Sequence, residues 1–325
     1  MADVRIPAEL HAAIEALSLP VRDRRQRAAA LSTAYRAMRP SASAVAGQSD
    51  IAAYLTTRMP ATFAAVATVL EAACDRLPDF APRTLLDAGA GPGTASWAAG
   101  DAFSTLETIT LVDHNTGLLE VAGALAAASA WQPLATAERL VGTLTRLPVD
   151  DRRFDLVLAS YALTEVAESD IDDVVRGLWD RCTGVLVIVE PGRPRDYLRL
   201  MAGRAALIAA GARVIAPCPH DRPCPLPTGD WCHFSARLPR SRAHRQAKGG
   251  ALGYEDEKFS YLVVARPQVP GVAASIRVIG PPVVRKFEVE APACTVAGLS
   301  RHVVRKQDAA AFKSAKKLAW GDSLE

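Results

Sequence analysis

Long uncharged apolar runs are missing from this 325-residue chain. No such run reaches the ~18–20 residues that a membrane-spanning helix needs, so we expect no membrane partner. The opening segment MADVRIPAEL carries Asp3 and Glu9 and has no apolar core, which argues against a secretory signal and an acid-poor transit peptide. The sequence therefore predicts a cytoplasmic protein whose thiols stay reduced.

Cysteine is also scarce, because the whole chain has six, too few for a disulfide scaffold. Three of the six nevertheless fall within the segment APCPHDRPCPLPTGDWCHF. In a reduced compartment such a local cluster indicates a metal site. No pair has the C-x-x-C spacing of a zinc ribbon, so the spacing leaves both zinc and an iron–sulfur cluster open. The clustered residues are Cys218, Cys224 and Cys232, and the alternative ligands that would favour zinc are His220 and His233.

The net charge of +3 conceals two halves of opposite sign. The segment from Pro191 to Glu325 holds 22 basic and 11 acidic residues, a net charge of +11. The residues before it hold 16 basic and 24 acidic side chains, a net charge of −8. A basic half joined to an acidic half indicates a polyanionic partner, and nucleic acid is the interpretation we prefer over a merely soluble surface.

The pattern of apolar residues changes twice along the chain. Residues 1–80 have apolar positions at helical spacing, and Pro60 is expected to open a new helix. From 81 to 266, Val/Ile/Leu-rich strands alternate with helix-forming segments, which predicts an α/β domain with a parallel sheet covered on both faces. Residues 218–257 form a long insert between predicted strands 6 and 7. Residues 267–325 contain short β-like runs and a basic tail, which predict a small β appendage.

A glycine-rich turn follows the first predicted strand, in the segment LLDAGAGPG. Asp87, Gly89, Gly91 and Gly93 give the pattern D-x-G-x-G-x-G, in which glycines let the backbone turn sharply and approach a ligand. Asp113 ends the second strand, where a carboxylate can accept both ribose hydroxyls of an adenosine group. Strand, turn, helix, strand and terminal acid occur in the order that a nucleotide-like cofactor requires.

These motifs resemble the cofactor half of class I S-adenosylmethionine-dependent methyltransferases, over roughly Arg83 to Arg266. The resemblance implies a seven-stranded Rossmann-like sheet and a bound methyl donor. By position, it implies that Thr143, Leu144 and Tyr161 cradle the adenine and the methionine. The rival interpretation is a dinucleotide-binding dehydrogenase, whose fingerprint has glycine where this chain has Thr94.

Methyl transfer needs more than a bound donor, and the sequence carries no clear catalytic group. The segment ASYALTEV after strand 4 lacks the Asn/Asp-Pro-Pro-aromatic motif of amino-group methyltransferases. Cys182 precedes strand 5, so it is badly placed to act as a nucleophile. Glu190 ends strand 5 and is our candidate base, with a plain polar strand end as the alternative.

Four further segments resemble the methyltransferase-like small-ribosomal-subunit assembly factors of mitochondria and their bacterial relatives. They are APCPHDRPCPL, DWCHFSARL, HRQAKG and LGYEDEKFSYL, and the resemblance runs from YLTTRMPATFAA to AKKLAWGD. In that family four cysteines ligate a [4Fe–4S] cluster. Carried over by position, the resemblance implies Cys218, Cys224, Cys232 and Cys294 as ligands. A cluster held in this way would join the appendage to the insert.

The insert also carries basic residues among aromatic and imidazole rings, a composition that suits phosphates and unpaired bases of RNA. The acidic run Glu255–Glu257 reverses the charge locally and can neutralise neighbouring arginines. The predicted RNA contacts are Arg237, Arg240, Arg242, Arg245 and Lys248.

Resemblance and charge together predict a factor in small-subunit assembly or translation that binds ribosomal RNA and S-adenosylmethionine. One alternative is an active ribosomal RNA methyltransferase, which would use the same cleft. A second is a zinc-binding small-molecule methyltransferase without RNA affinity. Nothing in the sequence sets the oligomeric state, and a monomer is our default expectation.

Overall fold

The computed structural model describes residues 4–17, 21–36, 45, 47–248, 252–272 and 274–324. Its first part is helical: α1 (Ala8–Ala16), α2 (Val21–Arg36), α3 (Gln48–Thr57) and α4 (Met59–Arg76). Pro60 lies in the first turn of α4, where the missing proline N–H breaks no helical hydrogen bond. Within the described ranges, no helix has both the length and the apolar character needed to cross a bilayer.

A mixed, mostly parallel sheet forms the centre of the chain, which confirms the predicted α/β class. Its strands are β1 (Thr84–Ala88), β2 (Thr108–Asp113), β3 (Glu138–Val141), β4 (Phe154–Ser160), β5 (Cys182–Pro191), β6 (Arg213–Ala216), β7 (Phe234–Pro239) and β8 (Tyr254–Ala265). The order is β3-β2-β1-β4-β5-β8-β6, and β7 pairs with β8. Strands β1 to β5 are parallel, whereas β8 runs antiparallel to β5, β6 and β7.

The sheet has eight strands rather than the seven that the sequence predicted. The additional strand, β7, lies inside the insert that we expected to be irregular. It forms a hairpin arm with β8, in which Phe234 faces Phe259 across the strands. Its burial alternates between buried and partly buried residues, so it gains its stability from the apolar face that it shares with β8.

Helices cover both faces of the sheet. They are α5 (Thr94–Ala102), α6 (Thr116–Ala126), α7 (Gln132–Ala135), α8 (Ile171–Asp180), α9 (Pro194–Ala209) and α10 (Arg242–Lys248). Leu156 and Leu158 of β4 pack into the core layer shared with α4 and α5, while Val157 and Ala159 pack into the layer of α8 and α9. This two-sided burial explains why the strand sequences read as unbroken apolar runs.

The C-terminal residues form a second, five-stranded sheet with its own small core. Its elements are β9 (Ile276–Val278), β10 (Val283–Val284), β11 (Glu288–Thr295), β12 (Gly298–Arg305), α11 (Ala309–Ala315) and β13 (Ser323–Leu324). The order is β10-β11-β9-β13, with β12 paired to β11. Val289, Phe312 and Ala315 form the buried core under α11.

Candidate functional site

A cleft of about 960 Å³ opens where β1, β2 and β4 end. Polar loop residues follow these strands, as the parallel topology requires, because the carboxyl ends of parallel strands meet at one edge of the sheet. Six of the eight predicted cofactor residues line this cleft: Gly89, Gly91, Asp113, Thr143, Leu144 and Tyr161.

The glycine turn has the left-handed backbone that its sequence predicts. Gly89 has φ +75°, and a Cβ there would lie 2.6 Å from the Cβ of Ala162. The Gly91 amide donates to Asp113 Oδ2 at 2.7 Å, so the acid at the end of β2 also holds the turn. Asp113 Oδ1 accepts from the Asn115 amide at 2.8 Å. Carboxylate oxygens accept more than one hydrogen bond, so Asp113 retains capacity for ribose hydroxyls.

Asp87 and Gly93 do not line the cleft but connect the glycine turn to the helix that follows it. Asp87 is fully buried, and its Oδ2 accepts from the Ser96 amide at 3.1 Å and the Ser96 hydroxyl at 2.8 Å. These bonds attach the carboxylate to the first turn of α5. Burial raises the pKa of Asp87 to about 7. Gly93, with φ +79°, is the N-cap residue of the same helix.

A tyrosine–carboxylate–arginine group on the far wall of the cleft was missed by the sequence analysis. The Tyr161 hydroxyl donates to Glu257 Oε1 at 3.0 Å, and Arg58 Nη2 lies 3.3 Å from the same oxygen. Tyr161 has φ +57°, an uncommon conformation for a bulky residue. Burial and the adjacent Glu257 carboxylate raise the pKa of Tyr161 well above its ordinary value. No local signal could reveal the group, since Arg58 and Glu257 are 199 positions apart.

Glu190, the candidate base, orders a loop instead of facing the cleft. It is fully buried, and its carboxylate accepts hydrogen bonds from the amides of Ala162 (3.0 Å), Leu163 (2.8 Å) and Thr164 (3.0 Å). Burial raises its pKa to about 8, although the amide bonds act in the opposite direction. Both oxygens are thus used to hold the turn after β4, and this turn positions Tyr161.

The four predicted ligand cysteines line one small cavity of about 30 Å³ between the insert and the appendage. Cys218, Cys224 and Cys232 come from the loop between β6 and β7, whereas Cys294 lies on β11. The Tyr197 hydroxyl is 3.0 Å from the Cys224 sulfur. Throughout the part of the chain that the structure describes, no three Cys, His, Asp or Glu side chains are grouped as a formed metal site. The thiols therefore share a cavity without forming a coordination shell.

Two buried arginines lie next to these thiols, Arg277 in the lining of the cavity and Arg204 beside Cys218. Arg204 Nη2 donates to the His220 carbonyl at 2.6 Å, and Arg277 Nη1 donates to the Ser323 hydroxyl at 2.6 Å. Their Nε atoms have no hydrogen-bond partner, and neither guanidinium pairs with a carboxylate among the described residues. Buried charges are normally paired. A centre ligated by four thiolates carries net negative charge, so the two guanidiniums fit such a centre.

Burial favours the neutral form of three of the four thiols. Burial, followed for Cys232 and Cys294 by the other cysteines, raises the pKa of Cys218, Cys232 and Cys294, the last to about 12. A bound cation reverses this preference, because metal ligation requires deprotonated thiols.

The structure separates the two histidines that the sequence offered as ligands. His233 packs between Trp231 and Trp320, with ring centroids 5.2 Å and 4.6 Å away, and does not line the cysteine cavity. His220 Nε2 lies 3.5 Å from the Cys294 sulfur. His220 therefore stays a ligand candidate, whereas His233 is part of an aromatic cluster.

Three of the five predicted RNA contacts are engaged by the acidic run that follows them. Arg237 makes a two-point pair with Asp256 at 2.7 and 2.8 Å. Arg240 lies 3.2 Å from Glu255, and Lys248 also pairs with Glu255. The remaining two, Arg242 and Arg245, are exposed on α10.

Comparison with known proteins gives a family match over residues 48–325, to the model described as mitochondrial small ribosomal subunit Rsm22. The human ribosome assembly protein METTL17, mitochondrial, is 29% identical over 290 residues, covering 83% of this chain and 61% of that protein. The fission yeast Rsm22-cox11 tandem protein 2, mitochondrial, is 26% identical over 332 residues, covering 84% of this chain and 43% of that protein. The chain thus spans less than two thirds of either relative.

Among solved structures, a magnesium protoporphyrin IX methyltransferase from Synechocystis PCC 6803 aligns with a TM-score of 0.40 and 15% identity. That alignment covers 67% of this chain and 83% of that chain.

The relatives overturn the cytoplasmic localisation predicted from the sequence, since the family and both relatives are described as mitochondrial. That prediction relied on the first ten residues. Those ten residues need not reveal the compartment in which a folded domain works.

Proposed function

The chain belongs to the Rsm22 family of mitochondrial small ribosomal subunit proteins, and from this premise we propose that it acts in assembly of the small ribosomal subunit. The family match confirms the resemblance that the cysteine-rich segments indicated. The name of the human relative, a ribosome assembly protein, supports the assembly role. The basic C-terminal half, with a net charge of +11, supports ribosomal RNA as the partner.

The cleft beside β1 and β2 is proposed to hold S-adenosylmethionine. Gly89 and Gly91 allow the donor to approach the backbone, and Asp113 would bind the ribose hydroxyls. The loop of Thr143 and Leu144 would cover the adenine, with Tyr161 beside the methionine. The bound donor would supply a methyl group, while these residues bind and orient it.

The cysteine cavity is proposed to hold a [4Fe–4S] cluster on Cys218, Cys224, Cys232 and Cys294. One observation carries this proposal: three thiols from the β6–β7 loop and one from β11 line a single cavity with buried Arg277, and buried Arg204 lies beside Cys218. Neither arginine has a carboxylate partner among the described residues. A bound cluster would supply covalent ties between the insert and β11. Those ties would fix the appendage against the central sheet.

Exposed cations on the insert are proposed to contact RNA phosphates. Arg242 and Arg245 are the two of the predicted set that face solvent on α10. Arg237, Arg240 and Lys248 would act mainly by holding the β7–β8 arm together through Asp256 and Glu255.

The central test combines metal analysis with particle binding. Anaerobically purified protein should contain iron and sulfide rather than zinc, and it should sediment with small ribosomal subunits. The quadruple Cys→Ser variant should lose both properties. Cys74→Ser is the matched control, because Cys74 is half-buried on α4, outside the cavity. Unchanged particle binding by the quadruple variant would count against the proposal, and stoichiometric zinc without RNA affinity would favour the small-molecule alternative.

An active ribosomal RNA methyltransferase is the second candidate, and the open glycine-turn cleft favours it. It predicts transfer of a labelled methyl group to RNA in precursor particles, and loss of that transfer in Asp113→Ala. The involvement of Glu190 in three amide hydrogen bonds counts against that residue as its base.

A further inference from the structure

Phe287 is the most exposed aromatic side chain among the described residues, with 61% of its surface accessible. It lies in the turn between β10 and β11. The Lys306 amide donates to the Phe287 carbonyl at 2.8 Å, and the Arg285 amide donates to the Glu288 carbonyl at 2.8 Å. The backbone under the ring is therefore tied to the end of β12, so the ring is presented from a fixed base.

Two lysines flank the ring. Lys286 Nζ lies 5.1 Å and Lys306 Nζ 5.8 Å from its centroid. Neither ammonium group pairs with a carboxylate within the described ranges. By contrast, Arg285 and Arg301 of the same sheet both pair with Glu290, at 2.9 and 2.8 Å. Lys286 and Lys306, which lack carboxylate partners, thus flank the one exposed aromatic ring among the described residues of this sheet.

We propose that Lys286, Phe287 and Lys306, the Phe287 platform, stack an unpaired RNA base and bind the phosphates beside it. This inference rests on the proposed RNA partner and adds a contact on the appendage to the phosphate contacts proposed for the insert. Every base has an aromatic face that stacks on a phenyl ring, and lysines on either side suit the backbone charge. A paired base inside an A-form helix cannot reach such a ring, so the ligand is single-stranded.

The charge distribution and the free aromatic ring favour this surface over the β7–β8 arm of the insert as the place where a base stacks. On the insert, Arg237, Arg240 and Lys248 are engaged by acids, and Arg237 covers the ring of Tyr254 at 4.0 Å. On the appendage, the basic side chains around the platform are exposed, and α11 and its following turn add further exposed lysines. These residues are Arg305, Lys313, Lys316 and Lys317.

The test measures binding of the full-length chain to a fluorescent single-stranded oligoribonucleotide, with a duplex of the same sequence in parallel. Phe287→Leu keeps apolar surface and removes the ring. We expect it to weaken single-strand binding about 5- to 150-fold, the equivalent of the ~1–3 kcal/mol of one base–aromatic stack. Phe287→Trp should bind at least as well as the unchanged chain. The double variant Lys286→Gln, Lys306→Gln should reduce the slope of log affinity against log salt by roughly 1.4.

Val296→Ala is the matched control, because Val296 is 57% exposed on another turn of the same sheet. Substitutions at these exposed positions leave the core intact, and the thermal unfolding temperature checks this. Equal binding by Phe287→Leu and the unchanged chain would overturn the platform while leaving the assembly role standing. Absence of any RNA affinity in the unchanged chain would overturn both. Loss of binding to ribonuclease-treated particles, with oligonucleotide binding unaltered, would assign the platform to a protein partner and also overturn it.

Discussion

Replacing Arg277 should destabilise the iron-loaded chain and leave the stability of the iron-free chain nearly unchanged. The guanidinium is buried, donates to Ser323 and to the Tyr261 hydroxyl, and lies 4.8 Å above the ring of Phe234. It lines the cavity of the four cysteines and has no carboxylate partner among the described residues. Arg277→Met removes the charge while keeping an apolar side chain of similar reach.

The expected change in the free energy of unfolding follows from the interactions that each state loses in the variant. Without the cluster, the variant forfeits two hydrogen bonds from a charged donor, at about 1.5–3 kcal/mol each. It also forfeits cation–π attraction of up to about 2 kcal/mol. In exchange it avoids burying an unpaired charge, which costs several kcal/mol, so the net change should be close to zero. With the anionic cluster bound, the same substitution leaves a buried anion short of a partner, and the expected loss is about 3–5 kcal/mol.

Anaerobic urea denaturation of the loaded and the chelator-treated protein measures both free energies, and iron retention on dilution provides an independent readout. Arg277→Lys should retain most of the difference between the two states, because it keeps the charge but loses the planar contacts. Equal destabilisation of loaded and iron-free protein by Arg277→Met would refute the idea that this arginine compensates an anionic centre.

Three further predictions follow from individual hydrogen bonds. Asp113→Ala should weaken S-adenosylmethionine binding at least tenfold in calorimetry, since it removes the proposed ribose acceptor and frees the Gly91 amide; undiminished affinity would place the donor elsewhere. Glu190→Ala should lower the free energy of unfolding by about 3 kcal/mol or more, because it leaves buried amides unpaired; a change below about 1 kcal/mol in urea denaturation would contradict its loop-ordering role. Although burial opposes it, hydrogen bonds from His244 and Lys248 lower the pKa of Glu255 to about 2. The stability that the ionised Glu255 carboxylate contributes is therefore present above about pH 4.5 and is lost as the pH falls towards about 2. Hydrogen exchange of the β7 amides should show this loss in the parent chain but not in Glu255→Gln.

The basic insert shows how much about ion pairing the residue pattern can predict. The sequence predicted both the arginines and the possibility that Glu255–Glu257 neutralise them, but it could not pair individual residues. The β7–β8 register decides the pairing, because it places Arg237 opposite Asp256 and Leu238 opposite Glu255. Register depends on which face of the hairpin is buried, and that is a property of the packed sheet.

The partners of Glu190 in the candidate catalytic site are likewise set by tertiary structure. A carboxylate at the end of a central strand is a reasonable base by position alone. In the folded chain its three acceptor bonds go to the amides of a turn some 26 to 28 positions away. Only the approach of that turn determines whether the carboxylate faces substrate or backbone.

Local chain chemistry by itself determined the glycine turn, the alternation of strands with helices and the spacing of three thiols, because each depends on residues that are near neighbours in the polymer. Tertiary packing alone decided that Cys294 lies beside the cysteines of the insert and that Arg204 and Arg277 lie near the thiols without carboxylate partners. It also decided that Phe287 is exposed between two lysines. Burial and electrostatic partnership are set by neighbours in space. Those neighbours come from segments that only the folded sheets bring together.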